Sequence, residues 1–179
     1  MKKLSNEELG RVNIDEFKKL KKLPITIVLD NIRSLMNIGS VFRTSDAFTI
    51  KEILLCGITA KPPHREMQKT ALGATESVNW RYFDKTTDAI NELKSNGITV
   101  LSIEQADEAK MLDTYEFDFS NEIALVFGNE VKGVSDEVIG LSDDCIEIPQ
   151  FGTKHSLNIS ISAGVLIWEC FQQYQNKME

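Results

Sequence analysis

Two polar turns hold the residues best suited to chemistry. In VFGNEVKG (Val126–Gly133) an apolar run breaks into Gly128, Asn129 and Glu130. In IEIPQFGTKHSLN (Ile146–Asn158) a second run breaks into a glycine-containing loop that carries His155, Ser156 and Asn158 and leads straight into a helical pattern. A carboxylate, amides and hydroxyls at neighbouring strand ends suit a site assembled at one edge of a sheet. Each residue also has a plain reading. Gly128 serves any tight turn, Asn129 is a turn residue, and Ser156 caps a helix. Ile148 and Leu157 belong to a core. Upstream, Asn37 reads as a helix cap and Arg43 as a surface helix arginine.

Several familiar chemistries are missing. Gly128 and Gly133 have the spacing of a phosphate loop, but Val134 and Ser135 follow where lysine and serine or threonine are required. No G-x-G-x-x-G occurs, so a dinucleotide fold has no support. Two histidines, His64 and His155, without a cysteine cluster argue against zinc, and no metal is expected. His155 and Ser156 are sequence neighbours with no nucleophile elbow around them, which disfavours a serine hydrolase.

The elements that must position these turns alternate between strand and helix. Strands are expected at Ile25–Leu29, Ile53–Cys56, Trp80–Phe83, Ile98–Ile103, Ile123–Phe127 and Cys145–Ile148. Helices are expected over residues 4–20, Ile38–Phe48, Arg65–Ala71, Thr87–Ser95 with Thr86 as its cap, Asp136–Leu141 and Ser156–Tyr174. Residues 31–37 read as a polar loop, and 104–121 resist assignment. This order predicts an α/β domain with a mainly parallel sheet and helices on both faces. Strands that are apolar throughout agree, because both faces are then covered. The division expected is a helical extension over residues 1–23 and a single domain over 24–179.

The chain has 179 residues, 42% hydrophobic and 26% charged, which suits one domain with a real core. No run spans a bilayer and no secretory signal opens the chain, so a cytoplasmic protein without membrane attachment is expected. Cys56, Cys145 and Cys170 are scattered and read as packing residues of a reducing compartment. A net charge of −7 weakens generic nucleic-acid binding. It leaves room for local basic clusters at Lys18, Lys19, Lys21 and Lys22, and at Lys61, His64, Arg65 and Lys69.

Three segments together carry a resemblance. NIRSLMNIGSVFRTSDAF (31–48), VFGNEVKGVS (126–135) and IEIPQFGTKHSLNISISAGVLIWE (146–169) resemble, in order, the three motifs of the SpoU (TrmH-type) RNA ribose 2′-O-methyltransferases of the SPOUT superfamily. The resemblance covers the chain from about Ile25 to the last helix. It implies a C-terminal deep trefoil knot over roughly residues 123–170, which ordinary topology rules would not suggest. It further implies S-adenosyl-L-methionine as cofactor, a homodimer paired through the knotted region, and an RNA substrate; the short chain and the N-terminal lysines favour tRNA slightly over rRNA. By the same resemblance, Asn37, Arg43, Glu130, Ser156 and Asn158 are the catalytic set. Arg43 then acts at the hydroxyl and Glu130 holds that arginine or a partner's. Gly128, Ile148 and Leu157 contact the cofactor, and Ser102–Glu104 is a further cofactor-side loop. Two alternatives stand beside this reading: a catalytically inactive RNA-binding or ribosome-assembly factor of the same fold, and an S-adenosylmethionine enzyme acting on small molecules.

Overall fold

The computed structural model describes residues 1–5 and 8–178. Strand β1 (Leu23–Asp30) is buried almost throughout, and alternate residues serve opposite faces. Ile25, Ile27 and Leu29 enter one core while Val28 enters the other. The same division holds in β2 (Ile50–Cys56), where Ile53 and Leu55 face one way and Leu54 and Cys56 the other. It holds again in β6 (Ile123–Phe127), where Ile123, Leu125 and Phe127 oppose Ala124 and Val126. A period of two with both faces apolar yields the unbroken hydrophobic runs of the sequence.

Between and beyond these strands come β3 (Asn79–Phe83), β4 (Thr99–Ile103), β5 (Lys110–Met111) and β7 (Asp144–Glu147). The seven strands form one sheet in the order β3-β2-β1-β6-β4-β7-β5, and every pairing is parallel. One face is covered by residues of α1 (Ile14–Lys19), α2 (Leu35–Ala47), α3 (Arg65–Ala71), α4 (Ala74–Ser77) and α7 (Ile159–Met178). Residues of α5 (Thr86–Ser95) and α6 (Asp136–Leu141) cover the other. Parallel pairing brings the C-terminal ends of β1, β6, β4 and β7 side by side. The loops that leave those four ends build the site.

Several boundaries differ from the sequence expectations. The helix expected over 4–20 is present only as α1, and residues 6 and 7 of that span lie outside the described residues. Gly10 sits at φ 58, and Asn13 and Glu16 close a capping box that starts the helix at Ile14. Pro24 lies inside β1 rather than ahead of it. The loop expected over 31–37 is shorter, because Ser34 caps α2 by accepting from the Asn37 N–H at 3.3 Å. Asn37 is therefore inside the first turn and not the cap. Thr86 is not a cap either; its hydroxyl donates to the buried Asp30 at 2.5 Å. Helix α7 begins at Ile159, with Asn158 and not Ser156 accepting from the Ser160 N–H at 2.9 Å. In the stretch 104–121, β5 and a 3₁₀ turn at Leu112–Thr114 are regular.

Helix α2 is fastened to α3 by a close crossing at Gly39. A Cβ there would stand 2.3 Å from the Met67 carbonyl oxygen and 2.3 Å from Thr70 Oγ1. Gly39→Ala therefore forces the helices apart and is expected to destabilise the fold by about 1–3 kcal/mol. Urea unfolding should show a lower midpoint with an unchanged slope. An unchanged midpoint would mean that the two helices slide without cost.

Candidate active site

Glu130 ties the turn after β6 to the start of α2. Its carboxylate accepts from the backbone N–H of Arg33 at 3.0 Å, from that of Ser34 at 3.0 Å, and from the Asn37 amide at 3.1 Å. The Ser34 N–H is a free donor at the start of α2, Arg33 directly precedes it, and the positive end of the helix favours an anion there. Asn37 Oδ1 in turn accepts from Asn158 Nδ2 at 3.1 Å, and Asn158 Oδ1 accepts from Ser160 Oγ at 2.7 Å. Glu130, Asn37 and Asn158 thus form one directional relay, joining segments more than ninety positions apart in sequence.

Partial burial pushes the Glu130 carboxyl up, but the Arg33 and Ser34 N–H groups and the Asn37 amide outweigh it and hold it below its ordinary 4.5. A lowered carboxylate stabilises the fold above its ordinary value, and that contribution is lost as pH falls through the lowered one. Urea unfolding of the wild type should therefore weaken between pH 5 and more acidic conditions by more than that of Glu130→Gln. Identical acid profiles would mean that the three hydrogen bonds carry no net preference for the ionised form.

Asn129 does more than turn the chain. Its Oδ1 accepts from Val131 and Lys132 N–H, while its Nδ2 donates to the Asn31 carbonyl at 2.7 Å. Asn31, at φ 57, accepts on Oδ1 from the Ile58 N–H and donates from Nδ2 to Asp30. Neither Asn31 nor Ser34 was singled out from sequence. The usable signals were a polar residue at a strand end and a serine three positions ahead of Asn37.

A cavity of about 680 Å³ opens beside the relay. Ile103, Phe127, Ile146, Ile148 and Leu157 give it apolar walls, and Gly128, Glu130, Ser156 and Asn158 also line it. Six of the eight residues singled out from sequence thus meet at one place. Gly128 earns its absent side chain first from its own loop: a Cβ would lie 2.1 Å from both the Gly133 carbonyl carbon and the Val134 nitrogen. Ser156 is exposed and makes no hydrogen bond among the described residues. Asn37 reaches the cavity only through its partners.

Arg43 stands elsewhere. It is exposed on α2, does not line the cavity, and forms no ion pair among the described residues. Glu130 does not hold it within this chain, since the carboxylate is occupied by the start of α2. The basic clusters are partly spent. Lys22 folds over the Phe17 ring at 3.3 Å, Lys21 lies over Tyr174, Lys61 lies over Tyr82, and Lys69 pairs with Glu66. His64 Nδ1 caps α3 by accepting from the Glu66 N–H at 3.2 Å.

All three cysteines are free and buried. Burial pushes the Cys56 thiol up to about 12, Cys170 well above its ordinary value and Cys145 upward, so none is a poised nucleophile. Among the described residues no cluster of three or more His, Cys, Asp or Glu side chains could hold a metal ion, and no helix is long and apolar enough to cross a membrane.

A family model described as the SpoU rRNA Methylase family matches residues 24–168. The tRNA (guanosine(18)-2′-O)-methyltransferase of Thermus thermophilus is 31% identical over 166 residues, covering 93% of this chain and 84% of its own. The crystal structure of the A. aeolicus TrmH/SpoU tRNA modifying enzyme superposes with a TM-score of 0.81 at 24% identity, covering 92% of this chain and 82% of that one. An AdoMet-bound rRNA methyltransferase from Sinorhizobium meliloti superposes with a TM-score of 0.77 at 26% identity, covering 86% of this chain and 61% of that one.

Proposed function

The chain belongs to the SpoU rRNA methylase family, and from that premise we propose that it moves a methyl group from S-adenosylmethionine to a ribose 2′-hydroxyl of structured RNA. The observation that carries the reading is the relay Glu130–Asn37–Asn158, which gathers all three motif segments around one cavity.

The residues present fit the cofactor. The cavity volume of about 680 Å³ suits a nucleoside-sized ligand. Ile103, Ile146, Ile148 and Leu157 offer flat apolar cover for an adenine. Among the described residues, Glu104, Glu130, Asp136 and Glu147 line the same cavity against one cation, Lys132, an excess of negative charge that favours a sulfonium and an ammonium. When bound, S-adenosylmethionine supplies an electrophilic methyl carbon. Gly128, Ile148 and Leu157 would hold it by main-chain groups and apolar contact. Ser156 and Asn158 border the side from which a ribose enters.

Arg43 has the attacking oxygen as its task. A guanidinium with pKa above about 12 is a poor base but a good phosphate fork. It anchors the RNA phosphate and turns the 2′-oxygen toward the pocket. Because Arg43 lies outside the cavity of its own chain, the complete site draws it from a second copy. An exposed apolar stripe on α7, made of Ile161, Val165 and Trp168, supports such pairing. The knot over roughly residues 123–170 belongs to the same proposal. Gln173 and Lys177 of α7 bond to the backbone of Tyr115 and Phe117, which docks the last helix against the segment just ahead of β6. A tRNA substrate, in keeping with the name of the Thermus relative, and a cytoplasmic location complete the reading.

Methylation mapping of RNA from cells with and without the protein tests the whole. Loss of one 2′-O-methyl mark is expected, and purified chain with tritiated cofactor should restore it. An unchanged map with no tritium transfer to any RNA would favour an RNA-binding factor instead. Sedimentation of the purified chain checks the pairing; a monomer at all concentrations would remove it.

A further inference from the structure

We propose that Glu104 is a positioning residue that sets the shape of the cofactor pocket by clasping the far limb of the Gly128–Val134 loop to the end of β4. The proposal rests on the reading of the cavity as the S-adenosylmethionine site. Glu104 follows the last residue of β4, and its own N–H donates to the Ile146 carbonyl at 3.1 Å, which fixes its backbone between two strands. From there the side chain crosses to the loop after β6. Oε2 accepts from the Val134 N–H at 2.9 Å, thirty positions away in sequence, and Oε1 accepts from the Gln105 N–H at 2.9 Å.

The space for this clasp is made by Gly133. That residue sits at φ 69, and a Cβ on it would stand 2.2 Å from Glu104 Oε2. Gly133 also exchanges two backbone hydrogen bonds with Asn129, at 3.0 and 2.8 Å, which close the loop on itself. The loop is therefore held at both limbs by carboxylates: Glu130 joins the near limb to α2, and Glu104 joins the far limb to β4. Neither carboxylate has an ion-pair partner among the described residues, and both line the cavity. Glu104 works as a double acceptor for backbone N–H groups, and what it positions is the wall formed by Gly133 and Val134. A side chain with that task governs how well the pocket is pre-formed, and so affinity for the cofactor more than the rate of transfer.

Calorimetric titration with S-adenosylmethionine tests this on wild type, Glu104→Ala, Gly133→Ala and the double variant. Each single change breaks the Glu104–Val134 hydrogen bond, one by removing the acceptor and the other by displacing it. Each should raise the Kd about tenfold. Because both break the same bond, the double variant should be no weaker than the worse single one. In all three, cofactor KM should rise while kcat at saturation stays within about twofold, and the Val134 amide should exchange faster with unchanged protection in β6. Glu104→Gln, which keeps one acceptor and the shape, should recover part of the affinity and serves if an alanine variant fails to fold. Wild-type affinity in both Glu104 variants, or penalties that add in the double variant, would overturn the role of Glu104. A wild-type protein that binds no S-adenosylmethionine would instead overturn the cofactor reading on which it rests.

Discussion

Arg43→Ala is expected to lower methyl transfer at saturating RNA and cofactor by about 10²–10⁴-fold, the range for loss of a group acting on the proton or the orientation of a nucleophile. Affinity for S-adenosylmethionine and the unfolding midpoint should both stay at wild-type values. The structure separates these effects. Arg43 is exposed and has no ion pair among the described residues, so truncation opens no core cavity. It does not line the cavity beside the relay, so the pocket keeps its walls. Arg43→Lys keeps the charge but loses the planar two-pronged fork. A lysine variant as slow as the alanine one would identify oriented phosphate binding, and not charge alone, as the task. Near-normal turnover in Arg43→Ala would remove Arg43 from the mechanism.

Gly128→Ala should abolish cofactor binding in a folded protein, raising the Kd by about 10²-fold or more through displacement of a loop that must be correct to within an ångström. Its Cβ would meet two backbone atoms at 2.1 Å, and backbone cannot swing aside as a side chain end can. The paired hydrogen bonds between Asn129 and Gly133 then open, and the carboxylates at both limbs lose register. Calorimetry reads the loss, and retained thermal unfolding confirms that the sheet survives. Wild-type affinity would show that the loop has slack. The two variants also test each other. Mixed by unfolding and refolding together, inactive Arg43→Ala and Gly128→Ala chains should regain about a quarter of wild-type activity if each site takes its arginine from the second chain of a dimer. No recovery would place the arginine and the pocket in one chain.

Much of this was legible in the sequence. Apolar runs with turn signals gave β6 and α6 at their observed boundaries, and α3 likewise. The three motif segments pointed to residues that do meet: Glu130 with Asn37, and Asn37 with Asn158. Most of what sequence missed were bonds whose partners lie far apart along the chain, with one local exception. Asn13 with Glu16 is a local capping box that could have been read; its neglect let the first helix run too long. Thr86 has the right type and place for a cap, yet the buried Asp30 takes its hydroxyl, which only the tertiary fold reveals. Gly39 carries no sequence signal of its own, and only the crossing with α3 explains it. Glu104 was visible only as part of a loop, because its meaning depends on a glycine twenty-nine positions later.

The placement of β6 between β1 and β4 has a consequence for synthesis. As the polypeptide emerges from the ribosome, β1 and β4 are both complete before β6 exists, and each presents an unpaired margin toward a gap one strand wide. Only the arrival of residues 123–127 fills that slot and joins the two halves of the sheet. Nascent chains stalled before this point would carry an open seam of backbone donors and acceptors, the feature that recruits foreign strands and chaperones.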